Sequence, residues 1–191
     1  MSPQASLQRS AFGDCQLWGW AMFGDEIDGL AADVLGACRH RGLMLVTAES
    51  CTGGLIAGAL TAVPGSSDVV DRGYVTYSYE AKTQMLGVPL AMIEEHGAVS
   101  EQVARAMVAG ALNLEANRVA VAVTGVAGPG SDSQEKPAGL VHMAAGHGDV
   151  VRDHVARYGD VGREAVRLFT VRDALLLVQA LLSEGNSQPP T

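Results

Sequence analysis

Lysine is nearly missing from this 191-residue chain, occurring only at Lys82 and Lys136. No basic cluster offsets the formal charge of −8. That balance speaks against nucleic acid as a partner, because phosphate backbones need clustered cations, but it leaves room for a small anion in a local positive pocket. Cysteine is scarce and odd in number, at Cys15, Cys38 and Cys51. Without CxxC or Cys/His spacing, neither a disulfide framework nor a zinc centre is expected. His40, His96, His142, His147 and His154 show no HExxH or paired-ligand spacing and read as structural or surface residues, so neither metal nor cofactor is expected. No apolar run approaches the roughly 18 residues of a membrane span, and the N-terminus lacks the basic-then-apolar order of a secretory leader. A reducing cytoplasm is the expected compartment. Aromatics make up only 5 % of the residues, so aliphatic side chains must fill the interior.

What remains is a globular composition, 48 % apolar, in a chain long enough for one domain with a real core. Residues 1–24 carry Trp18, Trp20 and Phe23 without clear periodicity and read as an extension outside that core, whose aromatics favour self-association into a homo-oligomer. From residue 25 the apolar positions Ile27, Leu30, Ala31, Val34, Leu35 and Cys38 follow a helical rhythm, and Gly42 supplies a stop. Strands are expected over 43–47, 69–78, 119–123, 140–145 and 150–158. Helices are expected over 55–61, 80–86, 90–95, from the N-cap Ser100 to Leu114, and over 163–183. Residues 185–191 read as a flexible tail. Strands alternating with helices imply a layered α/β domain over 25–184, with the last two strands antiparallel and the sheet therefore mixed.

Three segments have chemical potential. Glu49-Ser50-Cys51-Thr52-Gly53-Gly54 lies where a strand hands over to a helix, the place where open α/β sheets collect ligands. A serine there can attack a carbonyl while backbone amides around Thr52–Gly54 hold the oxyanion. It can equally be a helix start capped by Ser50 or Thr52, with Glu49 facing the helix dipole. Cys51 is a rival nucleophile, or a buried inert thiol. In Tyr77-Ser78-Tyr79-Glu80-Ala81-Lys82, a desolvated Lys82 would act as a base that Tyr77 orients or relays for; the alternative is a solvated lysine on a helix. The loop opened by Thr124 and Gly125, with Gly128 further on, can cradle a phosphate or simply cross over; it is no P-loop. Arg163, at the start of the last helix, either meets that phosphate or stays in water.

The strings TAESCTGGLIAGALTAVPGSS, DRGYVTYSYEAKTQMLGV, HGAVSEQVARAMVAGAL, AVAVTGVAGPGS and EKPAGLVHMA occur in this order. Together they closely resemble the CinA C-terminal domain family, from about residue 25 to the last helix. The resemblance implies a three-layer α/β/α sandwich with a mixed, mostly parallel sheet, and the stand-alone form rather than a fusion behind a molybdopterin-binding-like domain. It implies deamidation of nicotinamide mononucleotide to nicotinate mononucleotide and ammonia, with Ser50 as nucleophile, Lys82 as general base and Tyr77 beside it. Glu49, Cys51, Thr52, Gly53, Gly54, Thr124, Gly125, Gly128 and Arg163 would then surround the substrate. A non-catalytic pyridine-nucleotide-binding relative of the same fold is the competing reading. Two positions depart from the family pattern. Tyr79 stands where Asn is usual, and Val161-Gly162 separates Gly159-Asp160 from Arg163 where the family tends to read Gly-Asp-Arg.

Overall fold

A computed structural model describes residues 22–113, 115–131 and 136–184. Cys15, Trp18, Trp20, Leu114 and the tail 185–191 lie outside the described residues. The chain runs α1 (Asp25–Arg41), β1 (Met44–Glu49), α2 (Leu55–Thr61), a short 3-10 turn (Ser66–Asp68) and β2 (Val70–Val75). It continues through α3 (Tyr79–Leu86), α4 (Leu90–His96), α5 (Glu101–Leu112), β3 (Arg118–Gly125), β4 (Leu140–His147), β5 (Val150–Arg157) and α6 (Arg163–Glu184).

The five strands form one sheet in the order β2-β1-β3-β4-β5. β1 pairs in parallel with both β2 and β3, whereas β4 and β5 join antiparallel. The sheet is therefore mixed, with its parallel part at the core, and the fold is the expected three-layer sandwich.

The two faces bury different residues, and strand alternation sorts them. Val119, Val121 and Val123 of β3 enter one cluster with α1, α2 and α6, while Ala120 and Ala122 enter the other with α5. Both sets are buried, as a continuous apolar run requires.

Local chemistry sets the element ends. α1 opens with Asp25, Glu26 and Asp28 and closes with Arg39, His40 and Arg41, each sign facing the helix pole that favours it. Ser78 and Ser100 cap α3 and α5 by accepting from the amides of Ala81 and Val103. β2 stops at Val75 rather than running on to Ser78 as the pattern predicted, because its partner β1 ends at Glu49, opposite Val75, and Ser78 caps α3. Phe23, assigned to the extension, packs partly buried against the α1–α2 side of the core.

The two crossovers around β1 lie on opposite faces of the sheet. α2 leads on one face to β2, and α3–α5 return on the other face to β3, on the far side of β1. The carboxyl end of β1 is thus a topological switch point, where a crevice opens naturally. Register places Glu49 beside Val75 and Val123, so β1 and β2 end level while β3 runs on to Gly125.

α5 approaches α3 so closely that a β-carbon on Gly110 would lie 1.9 Å from the carbonyl oxygen of Leu86. Alanine normally improves a helix interior by up to ~1 kcal/mol over glycine, but backbone overlap of this kind costs about 1–3 kcal/mol. Gly110→Ala should therefore lower the unfolding free energy in urea. Gly36→Ala, in α1 with open space around it, should raise it by up to ~1 kcal/mol.

Candidate active site

The turn after β1 is anchored from several sides. The Ser50 amide donates to Val123 O at 3.1 Å, and the Gly53 amide closes back on Ser50 O at 3.1 Å. Beneath them Glu49 is fully buried. Its carboxylate accepts from Thr52 Oγ1 at 2.6 Å and from the amides of Gly54, Ile56 and Ala57 at 3.1, 3.0 and 2.9 Å. Those are amides that a helix start leaves without partners, so Glu49, not Ser50 or Thr52, caps α2. Gly53 and Gly54 sit at φ 62° and 97°, the left-handed region that a β-carbon disfavours.

Two expectations are corrected by this geometry. The amides of Gly53 and Gly54 already serve Ser50 O and Glu49, which removes them as oxyanion donors. Glu49, Thr52, Gly53 and Gly54 also do not line the cavity beside Ser50; they hold the turn from behind.

α3 brings Lys82 to the same point. Its Nζ lies 3.1 Å from Ser50 Oγ and donates to Thr76 O at 2.7 Å. Only 1 % of the residue is exposed. Burial pushes the ammonium below its ordinary range, because leaving water penalises the charged form. In the neutral amine one hydrogen goes to Thr76 O, and the lone pair is free for the Ser50 hydroxyl. The carbonyl of Thr76 thus has the orienting role that the sequence assigned to Tyr77. The Tyr77 hydroxyl is instead engaged by Arg163 Nη2, which donates to it at 3.0 Å, while Arg163 Nη1 donates to Gly128 O at 2.9 Å.

The cavity holds about 340 Å³, within the ~300–1,000 Å³ usual for small-molecule sites. Ser50, Cys51, Tyr77, Lys82, Thr124, Gly125, Gly128 and Arg163 line it, together with Tyr79, the position that departs from the family. Thr124 Oγ1 donates to Ala98 O at 2.8 Å and so fixes the opposite wall. Cys51 reaches the cavity but is a poor nucleophile: burial pushes its thiol up to about 12, so the reactive thiolate is almost absent at neutral pH. Among the described residues, no three His, Cys, Asp or Glu side chains gather as metal ligands, and no helix is long and apolar enough to cross a membrane.

Residues 27–182 match the sequence profile of the CinA C-terminal domain. The chain belongs to that family. It is 43 % identical over 173 residues to a CinA-like protein of Parasynechococcus marenigrum, which covers 90 % of this chain and 40 % of the relative. It is 47 % identical over 161 residues to a CinA-like protein of a Synechococcus species, covering 84 % of this chain and 39 % of the relative. The chain thus spans about 40 % of the length of these curated relatives. Among solved structures, the competence/damage inducible protein CihA from Agrobacterium tumefaciens superposes with a TM-score of 0.82 at 52 % identity, covering 85 % of this chain and 99 % of that one. A CinA superfamily protein from Klebsiella pneumoniae gives 0.78 at 35 % identity, covering 83 % and 98 %.

Sequence reasoning about this CinA domain missed several contributors. Thr76 acts through its backbone, which no side-chain pattern can announce. Ala98 and Val99 enter the wall only because the loop before α5 folds over the sheet end. Arg167, one helical turn after Arg163, donates to Thr52 O at 2.8 Å; the i, i+4 spacing of two arginines at a helix start was its available signal.

Glu49→Gln turns an amide NH₂ toward donors that need an acceptor, so stability should fall by about 1–3 kcal/mol in urea titrations. The pH dependence of stability should expose Lys82. In the unfolded chain its amine titrates near pH ~10.4, whereas the folded value is lower. Between the two the unfolded state binds more protons, so this contribution is fully present above the unfolded value and is lost as pH falls toward the folded one. Lys82→Met should therefore gain stability relative to wild type as pH is lowered from about 10. A difference that stays constant across that range would contradict a depressed amine.

Proposed function

We propose that this chain is an amide hydrolase that deamidates nicotinamide mononucleotide to nicotinate mononucleotide and ammonia. The observation that carries this reading is the buried Lys82 amine 3.1 Å from Ser50 Oγ at the edge of a small-molecule cavity. Burying an amine costs free energy, and a stability role alone offers no return on that cost. A base held neutral beside a hydroxyl uses it directly.

In the proposed reaction, neutral Lys82 takes the Ser50 proton as Oγ attacks the carboxamide carbon. The charged lysine then delivers that proton to the departing nitrogen, and ammonia leaves. Water attacks the acyl-serine, with Lys82 acting as base again, and releases the carboxylate. The pyridinium of this substrate withdraws electrons and makes its carboxamide the better electrophile. Arg163 places a cation at the cavity, and the loop from Gly125 to Gly130 adds small residues that let a phosphate approach closely. The scheme needs no metal or cofactor. Free Cys38 and Cys51 suit a reducing cytoplasm, and Trp18 and Trp20 suit self-association. A binding module without chemistry would account for the cavity but gives no reason to desolvate Lys82.

Ammonia release from nicotinamide mononucleotide, nicotinamide riboside and free nicotinamide tests the reading, with turnover expected chiefly for the first. Ser50→Ala and Lys82→Ala should each lower turnover by at least ~10³-fold with the fold intact. Full ammonia release in either variant would remove that residue from the chemistry. Because the neutral amine is the active form and its proton affinity is lowered, the rate should rise with pH and then level off above the depressed value. A flat profile between pH 5 and 9, with chemistry limiting, would argue against this base.

A further inference from the structure

The first turns of α6 reach the site through two arginines four residues apart, and their tasks differ. Arg163 lines the cavity and joins Tyr77 to the loop at Gly128. Arg167 does not line that cavity. Its Nη2 donates to Thr52 O across 115 positions of sequence, and a β-carbon on Gly53 would lie 3.3 Å from the same nitrogen. The guanidinium is therefore packed against the turn that carries Ser50.

We infer that Arg167 is a positioning residue for the nucleophile: by gripping the Thr52 carbonyl from outside, it fixes the Ser50 turn at the distance from Lys82 that proton transfer requires. The inference rests on the Ser50–Lys82 reading above. Three observations support it. The other anchors of the turn come from its own neighbourhood in the sheet and α2: Glu49 grips Thr52 Oγ1, the Ser50 amide reaches Val123 O, and the Gly53 amide closes on Ser50 O. Among the described residues, Arg167 makes the side-chain hydrogen bond that ties the turn to α6. Besides Arg167, Thr52 O receives the Leu55 amide at 3.4 Å, a long contact that alone would hold it weakly. Finally, among the described residues Arg167 Nε is buried without an acceptor. Such a donor costs free energy, and a residue kept for packing alone would avoid it.

The substitution to make is Arg167→Met, with Arg167→Lys as the conservative counterpart that restores one donor. Because Arg167 lies outside the cavity, kcat per folded molecule should fall about 10- to 100-fold, the scale expected from misplacing a reacting group. KM should stay within about twofold, the pH midpoint should not move, and Arg167→Lys should recover part of the loss. A merely structural role would change melting temperature and folded fraction but not kcat per folded molecule. A second readout is the rate at which a fluorophosphonate probe labels Ser50: fluoride leaves as the Oγ–P bond forms, and the Ser50 proton passes to Lys82. Slower labelling in Arg167→Met supports the inference even if nicotinamide mononucleotide proves not to be the substrate. Labelling and kcat equal to wild type in the folded variant overturn it while leaving the amidase reading intact. If the Met variant does not fold, full activity in Arg167→Gln decides against it on the same terms, and no labelling of wild-type Ser50 overturns both.

Discussion

An amine taken out of water and set against a hydroxyl is the constraint around which this domain is arranged. Neither partner is unusual alone. A solvated lysine stays charged and cannot accept a proton at neutral pH, and an isolated serine holds its own. Desolvation lowers the proton affinity of the first, and the second lies 3.1 Å from it. The surrounding architecture serves that approach. Two parallel partners fix the end of β1, Ser78 starts α3 at the right place, and the Thr76 carbonyl aims the lone pair.

Glu49 supplies the second half of the arrangement. A fully buried carboxylate is costly unless its oxygens are occupied, and here three amides and a hydroxyl occupy them. Their convergence turns that cost into rigidity: the start of α2 and Thr52, two residues beyond Ser50, are held by one side chain. The glycines that follow supply left-handed turns within that cap, which is why a sequence rich in small residues gives a stiff site.

The fold was legible in the sequence because hydrophobic period and punctuation agreed. The Ile27–Cys38 rhythm, the unbroken apolar run before Thr124 and the cap at Ser100 each fix one element, whereas Ser78, read as the end of a strand, turned out to cap α3. Ser50 and Lys82 stood out through their motif and through the rarity of lysine, although spacing alone could not bring together residues 32 positions apart. For Tyr77, adjacency to Lys82 in sequence does not set direction: its hydroxyl engages Arg163, not the amine. The glycines of the Ser50 turn were assigned to the ligand because sequence cannot show whether an amide is free. Arg163 reaches the cavity despite the two-residue insertion ahead of it, since helix geometry, not the spacing from Asp160, sets where it projects.

The enclosure of Lys82 also has a bearing on bookkeeping of hydrogen ions. The only neighbours hydrogen-bonded to its nitrogen among the described residues are a carbonyl, which has no hydrogen to exchange, and the Ser50 hydroxyl. With the rest of its side chain enclosed, a proton arriving at that nitrogen can depart only toward the cavity that Lys82 lines. On the proposed reading, each half of the cycle therefore balances its protons inside the cavity: ammonia carries the first one away, and the acyl-serine waits with a neutral lysine for the incoming water.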